Sequence, residues 1–208
     1  MIFTSNYKEW HSTIIKPLTI SGDRGRDASY DGDSYLELAP KKEFWRIWKD
    51  NIGRIPEDEN TWYYVRKYWE TVISKLDPEK VYNDVNNSAL LCYEPNMGFC
   101  HRHLVAAWLE LFLNIEVPEA KAEGENIEIV ERPSYIKEYL EEVIRNNLDM
   151  NNFNSIHAFY LYSKSLKLKQ QLKDSPEIEK EIADLRSRAF KVEEEYNNSK
   201  GYVPKLII

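Results

Sequence analysis

The chain has 208 residues, a formal net charge of −7 and a sequence pI near 5.3. Hydrophobic residues make up 42% and aromatic residues 13% of the chain, which is enough to fill a core and excludes a disordered chain. The net negative charge argues against wrapping of an extended nucleic-acid backbone, while a local basic pocket for one phosphate group remains compatible with it.

The cysteine count and the apolar runs bear on the compartment. Two cysteines are too few for a disulfide framework, and residues 1–8 show no signal-peptide pattern. The most apolar stretch, residues 104–113, is about half as long as a membrane span and contains Glu110. We therefore expect a cytoplasmic location, free thiols and no membrane partner.

Short strands and aromatic helices alternate before Ser134. Three short apolar runs predict β-strands, at residues 1–5, 18–21 and 88–94. Four segments with apolar or aromatic residues at helical spacing predict helices, at residues 41–51, 57–76, 77–86 and 101–114. Asp77 followed by Pro78 is a typical helix start. The alternating residues 127–130 predict an edge strand.

From about Ser134 onward Lys, Glu and Asn dominate, and glycine is absent until Gly201. Helices are predicted at residues 134–147, 153–172 and 176–198. In the last of these, apolar residues at alternating steps of four and three form a heptad seam over residues 178–196. The seam packs either on the preceding helix as a hairpin, which the short connection favours, or on a second copy of the chain in a homodimer.

These elements predict an α/β protein in two parts. Residues 1–133 are expected to form a Rossmann-like parallel or mixed sheet with flanking helices. Residues 134–208 are expected to form a C-terminal helical extension.

One strand–turn–helix segment concentrates the residues that carry chemistry. Both cysteines and two of the four histidines lie within residues 90–103. Because a helix start presents free N–H groups and a positive dipole end, it suits an anion, which Arg102 would hold. Cys100 is the candidate nucleophile, with a pKa lowered by the helix start, and His101 is the proton carrier. Glu94 is either a general base or a carboxylate that orients Arg102 or His101.

A second loop faces this segment in the predicted sheet. It follows the strand at 18–21 and contributes candidate ligand-binding residues, namely Ser21, Gly22, Arg24 and Arg26. Loops at the carboxyl ends of strands are where open α/β folds bind ligands, although a solvated turn is the alternative.

The spacing of the thiols disfavours two other interpretations. Cysteine-dependent phosphatases need an arginine six residues after the nucleophile, and Arg102 is only two residues after Cys100. Cys92, Cys100, His101 and His103 include acceptable zinc ligands, but paired CxxC spacing is absent and the two histidines point to different sides of a helix. We therefore predict no metal or other cofactor, with Cys92 as a small buried core residue.

Several fragments resemble a known family when taken in order. They are residues 2–7, 18–21, 38–40, 90–94, 99–102 and 104–109. Together they resemble the domain-of-unknown-function family 488 over about residues 1–118, and the most specific part is Cys-x-Glu followed by Cys-His-Arg. The resemblance implies a compact α/β sandwich, gives no settled activity, and carries an association with bacterial and phage genomes. Family members often keep an aspartate or proline after the second strand, where this chain has residues 22–26, so a different ligand is expected on that side.

The sequence as a whole predicts a binding site for a nucleotide or another phosphate-bearing small molecule between residues 21–26 and 94–102. Cysteine-dependent catalysis on a nucleotide or nucleic-acid base is the sharper form of this hypothesis. Two alternatives stay open. One is a non-catalytic protein that sequesters such a ligand, for example in phage–host nucleotide signalling, and the other is a protein-interaction module that uses the C-terminal helices.

Overall fold

A mixed, mostly parallel sheet organises the first part of the chain in a computed structural model that describes residues 1–150, 152–171 and 175–201. Its strands are β1 (Phe3–Asn6), β2 (Trp10–Ser12), β3 (Lys16–Thr19), β4 (Ser88–Cys92), β5 (Glu119–Gly124) and β6 (Asn126–Val130). β4 lies between β1 and β3 and runs parallel to both. β5 pairs in parallel with β1 and β2 and antiparallel with β6, so the predicted α/β fold class is confirmed.

Helices flank this sheet. They are α1 (Lys42–Asn51), α2 (Glu57–Thr71), α3 (Pro78–Asp84), α4 (His101–Leu113) and α5 (Tyr135–Asn147). The predicted start of α3 is confirmed, because Asp77 Oδ1 accepts hydrogen bonds from the backbone N–H groups of Glu79 and Lys80 at 2.9 and 3.1 Å. α4 is buried along most of its length, as its nearly continuous apolar sequence predicts.

Two strands were absent from the sequence prediction, β2 and β5. β5 reads Glu-Ala-Lys-Ala-Glu-Gly and contains no β-branched residue, so its propensity gives no strand signal. It is a strand because the small side chains of Ala120 and Ala122 face the core and pack with Phe3 and Trp10. The ring centroids of those two aromatic residues are 5.7 Å apart.

The chain divides after Asn147 into two compact units, whereas the sequence placed the boundary before Ser134. α5, assigned to the extension from sequence, belongs to the first unit and packs on α2 and α4. Its apolar face is buried, and Tyr139 stacks on Trp62 with ring centroids 4.2 Å apart. The change in composition at about Ser134 therefore reflects the polar outer face of α5 and not a domain boundary.

The second unit contains α6 (Ile156–Gln171) and α7 (Pro176–Ser199). The predicted intramolecular hairpin is confirmed, since the heptad seam of α7 packs on α6 through a core that includes Leu161, Leu185 and Ala189. The homodimer stays a prediction. Residue 172 of the predicted helix 153–172, and residues 151, 173–174 and 202–208 of the predicted extension, lie outside the described residues. Within the described ranges, no helix has both the length and the apolarity to cross a membrane.

Candidate functional site

A cavity of about 620 Å³ opens in the first unit next to the ends of β3 and β4. Its walls come from the loop after β3, one face of α1, Tyr64 of α2, the turn after β4 and the start of α4. Small-molecule sites usually measure roughly 300–1,000 Å³, so this cavity has the size of a ligand-binding site.

Aromatic side chains supply much of the cavity wall. They are Trp45, Trp48, Tyr64, Tyr93 and Phe99. The Phe99 ring meets Tyr64 edge-on at a centroid distance of 5.0 Å and lies 5.8 Å from Trp48. Rings packed against one another in this way keep a fixed orientation, and they present flat apolar surface to a planar ligand.

Three cationic side chains also line the cavity, namely Arg26, Lys42 and Lys49. Lys49 Nζ lies over the Trp45 ring, 5.1 Å from its centroid. The sequence analysis did not assign Lys42 or Lys49 to the site. A usable signal existed, because Lys42, Trp45 and Lys49 are spaced by three and four residues and so share one face of α1.

Three carboxylates, Asp23, Asp27 and Glu94, lie in the same wall. The oxygens of Asp23 already accept hydrogen bonds from other groups of the protein. Asp23 accepts hydrogen bonds from the backbone N–H groups of Gly25 and Asp27, at 3.1 and 3.3 Å, and from the Tyr93 hydroxyl. Partial burial opposes ionisation of Asp23, but the Tyr93 and backbone hydrogen bonds lower its pKa below the usual value. Asp23 therefore holds the loop together, while Asp27 and Glu94 remain available to a ligand.

Two cysteines and a histidine meet at the buried end of the cavity, and we call them the Cys–His cluster (Cys92, Cys100 and His101). Cys92 is the last residue of β4, Cys100 occupies the N-cap position of α4 without a side-chain capping hydrogen bond, and His101 is the first residue of α4. His101 Nδ1 lies 3.6 Å from Cys92 Sγ and 3.8 Å from Cys100 Sγ. The three ligand atoms all lie within 4.8 Å of one another.

A backbone contact fixes the imidazole of His101. Its Nε2 lies 3.0 Å from the carbonyl oxygen of Ile20, so Nε2 carries the proton that is donated to this acceptor. In the neutral imidazole Nδ1 then keeps its lone pair, which faces both sulfur atoms.

Hydroxyl groups support the cluster from the side of β3. Ser21 Oγ donates to Cys92 Sγ at 3.7 Å, and the Tyr7 hydroxyl lies 2.9 Å from Ser21 Oγ and hydrogen-bonds with Thr19 Oγ1. Burial raises the pKa of Tyr7 to about 12, so its hydroxyl stays protonated and able to donate. The predicted ligand-binding residue Ser21 is thus tied to a sulfur atom.

The two thiols differ in acidity, and the order is opposite to the one predicted. A hydrogen bond from Cys100 lowers the pKa of Cys92 despite its burial, with the charge of Arg102 and Ser21 acting in the same direction. Burial and the neighbouring Cys92 raise the pKa of Cys100 well above its usual value. The expectation of an acidic Cys100 at the helix start was wrong, because its thiol is buried and is hydrogen-bonded to Cys92, which favours the charge on the Cys92 sulfur.

Arg102 is not part of the cavity lining. It is fully buried, and its Nη2 and Nε lie 2.8 and 3.1 Å from Glu119 Oε1. Thr4 Oγ1 donates to the other carboxylate oxygen at 2.6 Å, and His103 Nε2 lies 3.2 Å from it. Arg102 therefore cannot be assigned to a ligand anion as the sequence predicted. Its partner lies on β5, a strand that the sequence did not reveal.

Of the other predicted site residues, some line the cavity and one lies outside it. Gly22, Arg26 and Glu94 line the cavity, whereas Arg24 is exposed outside it. Glu94 is half-buried and makes no hydrogen bond or ion pair with another residue of the described ranges. It does not orient Arg102, since that guanidinium is taken up by Glu119.

In comparisons with known proteins, the chain matches no family model, no curated protein and no solved structure. Its class is therefore defined by fold and site alone, as an α/β protein with a mostly parallel sheet and a buried Cys–His cluster beside an aromatic cavity. The resemblance to family 488 stays a prediction that rests on the motif residues.

Proposed function

We propose that the cavity binds a planar, phosphate-bearing small molecule of the nucleotide class. The observation that carries this proposal is the shared face of α1, on which Trp45, Trp48, Lys42 and Lys49 all face the cavity. One surface thereby offers a stacking platform and positive charge side by side. A ring that carries an anionic group needs both.

The aromatic wall would bind the ring. Base–aromatic stacking contributes roughly 1–3 kcal/mol for each base and tolerates any π-face. Trp45 is the exposed member of the wall at 36%, so its indole is accessible to a ligand. Trp48 is held from behind by Tyr64 and Phe99, which keeps its orientation fixed.

The cations would bind the phosphate. Lys42 and Lys49 approach from α1 and Arg26 from the loop after β3. Asp23 stays ionised, but its oxygens already accept hydrogen bonds from Tyr93 and the loop backbone, so it does not offer them to the ligand. Asp27 and Glu94 would accept hydrogen bonds from sugar hydroxyls or ring N–H groups.

Turnover of the bound molecule requires a reactive group within reach. The Cys–His cluster lines the same cavity and meets this requirement. Binding without turnover is the sequestering form of the proposal.

The first experiment compares mononucleotides, the matching nucleosides and inorganic phosphate by thermal unfolding and calorimetry of the full chain. We expect nucleotides to stabilise the protein more than nucleosides or phosphate alone, because only they engage both the rings and the cations. Quenching of tryptophan fluorescence should accompany binding. A panel in which no nucleotide binds better than phosphate would overturn the proposal.

The second experiment tests the face of α1. Lys49→Ala and Trp45→Ala should each weaken nucleotide binding by about tenfold, which is about 1.4 kcal/mol. Arg46→Ala is the matched control, since Arg46 is an exposed cation on the same helix that lies outside the cavity lining. Equal weakening by Arg46→Ala would indicate only a general charge effect and count against the site.

A further inference from the structure

We propose that the Cys–His cluster is a metal site for zinc or a similar thiophilic divalent cation, with a fourth coordination position open to the cavity. This inference concerns the protein alone and does not depend on which molecule the cavity binds. It also replaces the expectation of no metal, which was based on spacing along the chain.

The distances between the ligand atoms fit tetrahedral coordination. Zinc bonds of about 2.3 Å to sulfur and 2.0 Å to nitrogen place sulfur and nitrogen ligands roughly 3.5 Å apart. His101 Nδ1 lies 3.6 Å from Cys92 Sγ and 3.8 Å from Cys100 Sγ. Both nitrogen–sulfur distances therefore match those around a tetrahedral ion to within a few tenths of an ångström, and all three ligand atoms lie within 4.8 Å of one another.

The ligand set suits the ion. Two thiolates and a neutral imidazole are soft and borderline ligands that select zinc and related metals over magnesium or calcium. On binding, both thiols release their protons to solvent, and the two negative sulfur atoms balance the 2+ charge of the ion. The resulting centre is neutral, which a buried position favours.

Groups around the ligands already hold them in the orientation that a metal needs. The Ile20 carbonyl accepts the Nε2 proton of His101, which leaves Nδ1 free to coordinate. Ser21 donates to Cys92 Sγ, and Tyr7 in turn contacts Ser21. Such second contacts to histidine and thiolate ligands are typical of metal centres.

The fourth position is not filled by the protein. His103, the other zinc-type ligand considered from sequence, lies against Glu119 instead. Among residues 1–150, 152–171 and 175–201, no fourth His, Cys, Asp or Glu belongs to the group. Because all three ligands line the cavity, the open position faces it, as in catalytic zinc sites with three protein ligands.

The test titrates the reduced, metal-free full chain with Co²⁺ and then with Zn²⁺, with no nucleotide present. We expect one ion per chain, a thiolate-to-cobalt charge-transfer band, and visible bands of tetrahedral intensity that disappear when zinc displaces cobalt. Added imidazole should shift the visible bands by entering the open position. Bands that imidazole leaves unchanged would contradict an open site.

Three variants check the ligands, namely Cys92→Ser, Cys100→Ser and His101→Gln. Each should lower the affinity for cobalt by at least tenfold, as judged by competition with a chelator. His11→Gln is the matched control, because His11 is an exposed histidine on β2, outside the cluster. Far-UV circular dichroism verifies the fold of each variant, and the wild-type titration does not depend on them.

Two results would overturn the metal site. One is a wild-type chain that takes up no stoichiometric ion and shows no charge-transfer band. The other is a band that persists when Cys92 and Cys100 are both replaced by serine. Nucleotide binding by the metal-free protein is measured separately, so failure of the metal site is distinguishable from failure of the proposed function.

Discussion

At the residue scale, Arg102 and Glu119 form an ion pair that is removed from water on both sides. Both side chains are fully buried, and the carboxylate is contacted by Arg102, His103 and Thr4 together. Charged groups removed from water in this way depend on their partners, because no solvent replaces a lost contact.

Glu119→Gln should therefore be strongly destabilising. It leaves the Arg102 guanidinium buried with an uncompensated charge, and we expect the free energy of unfolding to fall by about 3–5 kcal/mol in urea denaturation. Lys121→Ala, on the same strand, removes an exposed ion pair with Glu9 and should cost less than about 1 kcal/mol. Similar losses of stability in the two variants would show that the buried Arg102–Glu119 pair contributes no more than the Lys121–Glu9 pair.

The same carboxyl group sets an acid limit on stability. Burial opposes ionisation, but His103 and Arg102 lower the pKa of Glu119 from its ordinary 4.5 to about 2. Because the folded pKa is the lower one, the stabilisation is fully present above about pH 4.5. It is lost as the pH falls through 2, and amounts to about 3 kcal/mol. In unfolding curves collected across this range, the difference in the free energy of unfolding between wild type and Glu119→Gln should decrease as the pH falls. A constant gap would contradict the assignment.

At the element scale, the loop after β3 depends on one glycine. Gly25 has a φ of +75°, and a Cβ there would lie 2.8 Å from Tyr30 Cβ and 2.9 Å from the Tyr7 hydroxyl. Gly53 has a similar φ of +73° but open space around it. The two glycines therefore share the backbone requirement and differ only in their surroundings.

Gly53→Ala should cost about 1 kcal/mol, the usual penalty for a left-handed alanine. Gly25→Ala should cost roughly 2 kcal/mol more, because the tyrosines must also move. Thermal unfolding of the two variants measures the difference. Equal shifts in the unfolding temperature would mean that the loop after β3 accommodates the added Cβ without strain.

An element could be predicted from the sequence when its own residues carry the apolar pattern that makes it fold. β4, α4 and the seam of α7 carry their own apolar pattern and were predicted within a few residues. β5 is a strand only because Trp10 and Phe3 cover its alanines. Its absence from the prediction also hid Glu119, the partner of Arg102.

The site shows the same limit. Cys92, Cys100 and His101 of the predicted cluster line the cavity, whereas Arg102 and His103 contact Glu119 instead. Spacing along the chain could not give these distances. Cys92 and Cys100 are brought together by the turn between β4 and α4, which has no metal-binding signature. The difference in acidity between the two buried thiols depends on the hydrogen bond between them, which the sequence does not report.

At the scale of the whole molecule, the two units differ in their tryptophan content. All six tryptophans lie between Trp10 and Trp108, in the first unit, while α6 and α7 make up most of the described residues of the second unit. Tryptophan fluorescence therefore reports on the first unit alone, whereas far-UV circular dichroism reports on both.

Leu185→Ala tests whether the units unfold separately. Leu185 is buried in the core between α6 and α7, so its truncation should cost about 2–5 kcal/mol of local stability. We expect the circular dichroism transition to begin at lower temperature while the tryptophan transition stays in place. A parallel shift of both signals would show that the units unfold as one.

The helix α1 has a further consequence for how the cavity works over time. Phe44 is its single buried side chain, whereas every residue of β4 is buried. Amide protons of α1 are therefore expected to exchange with solvent through local openings long before those of β4. The face that carries the tryptophans and lysines thus lies on a wall that few buried side chains anchor, whereas the neighbouring sheet is buried.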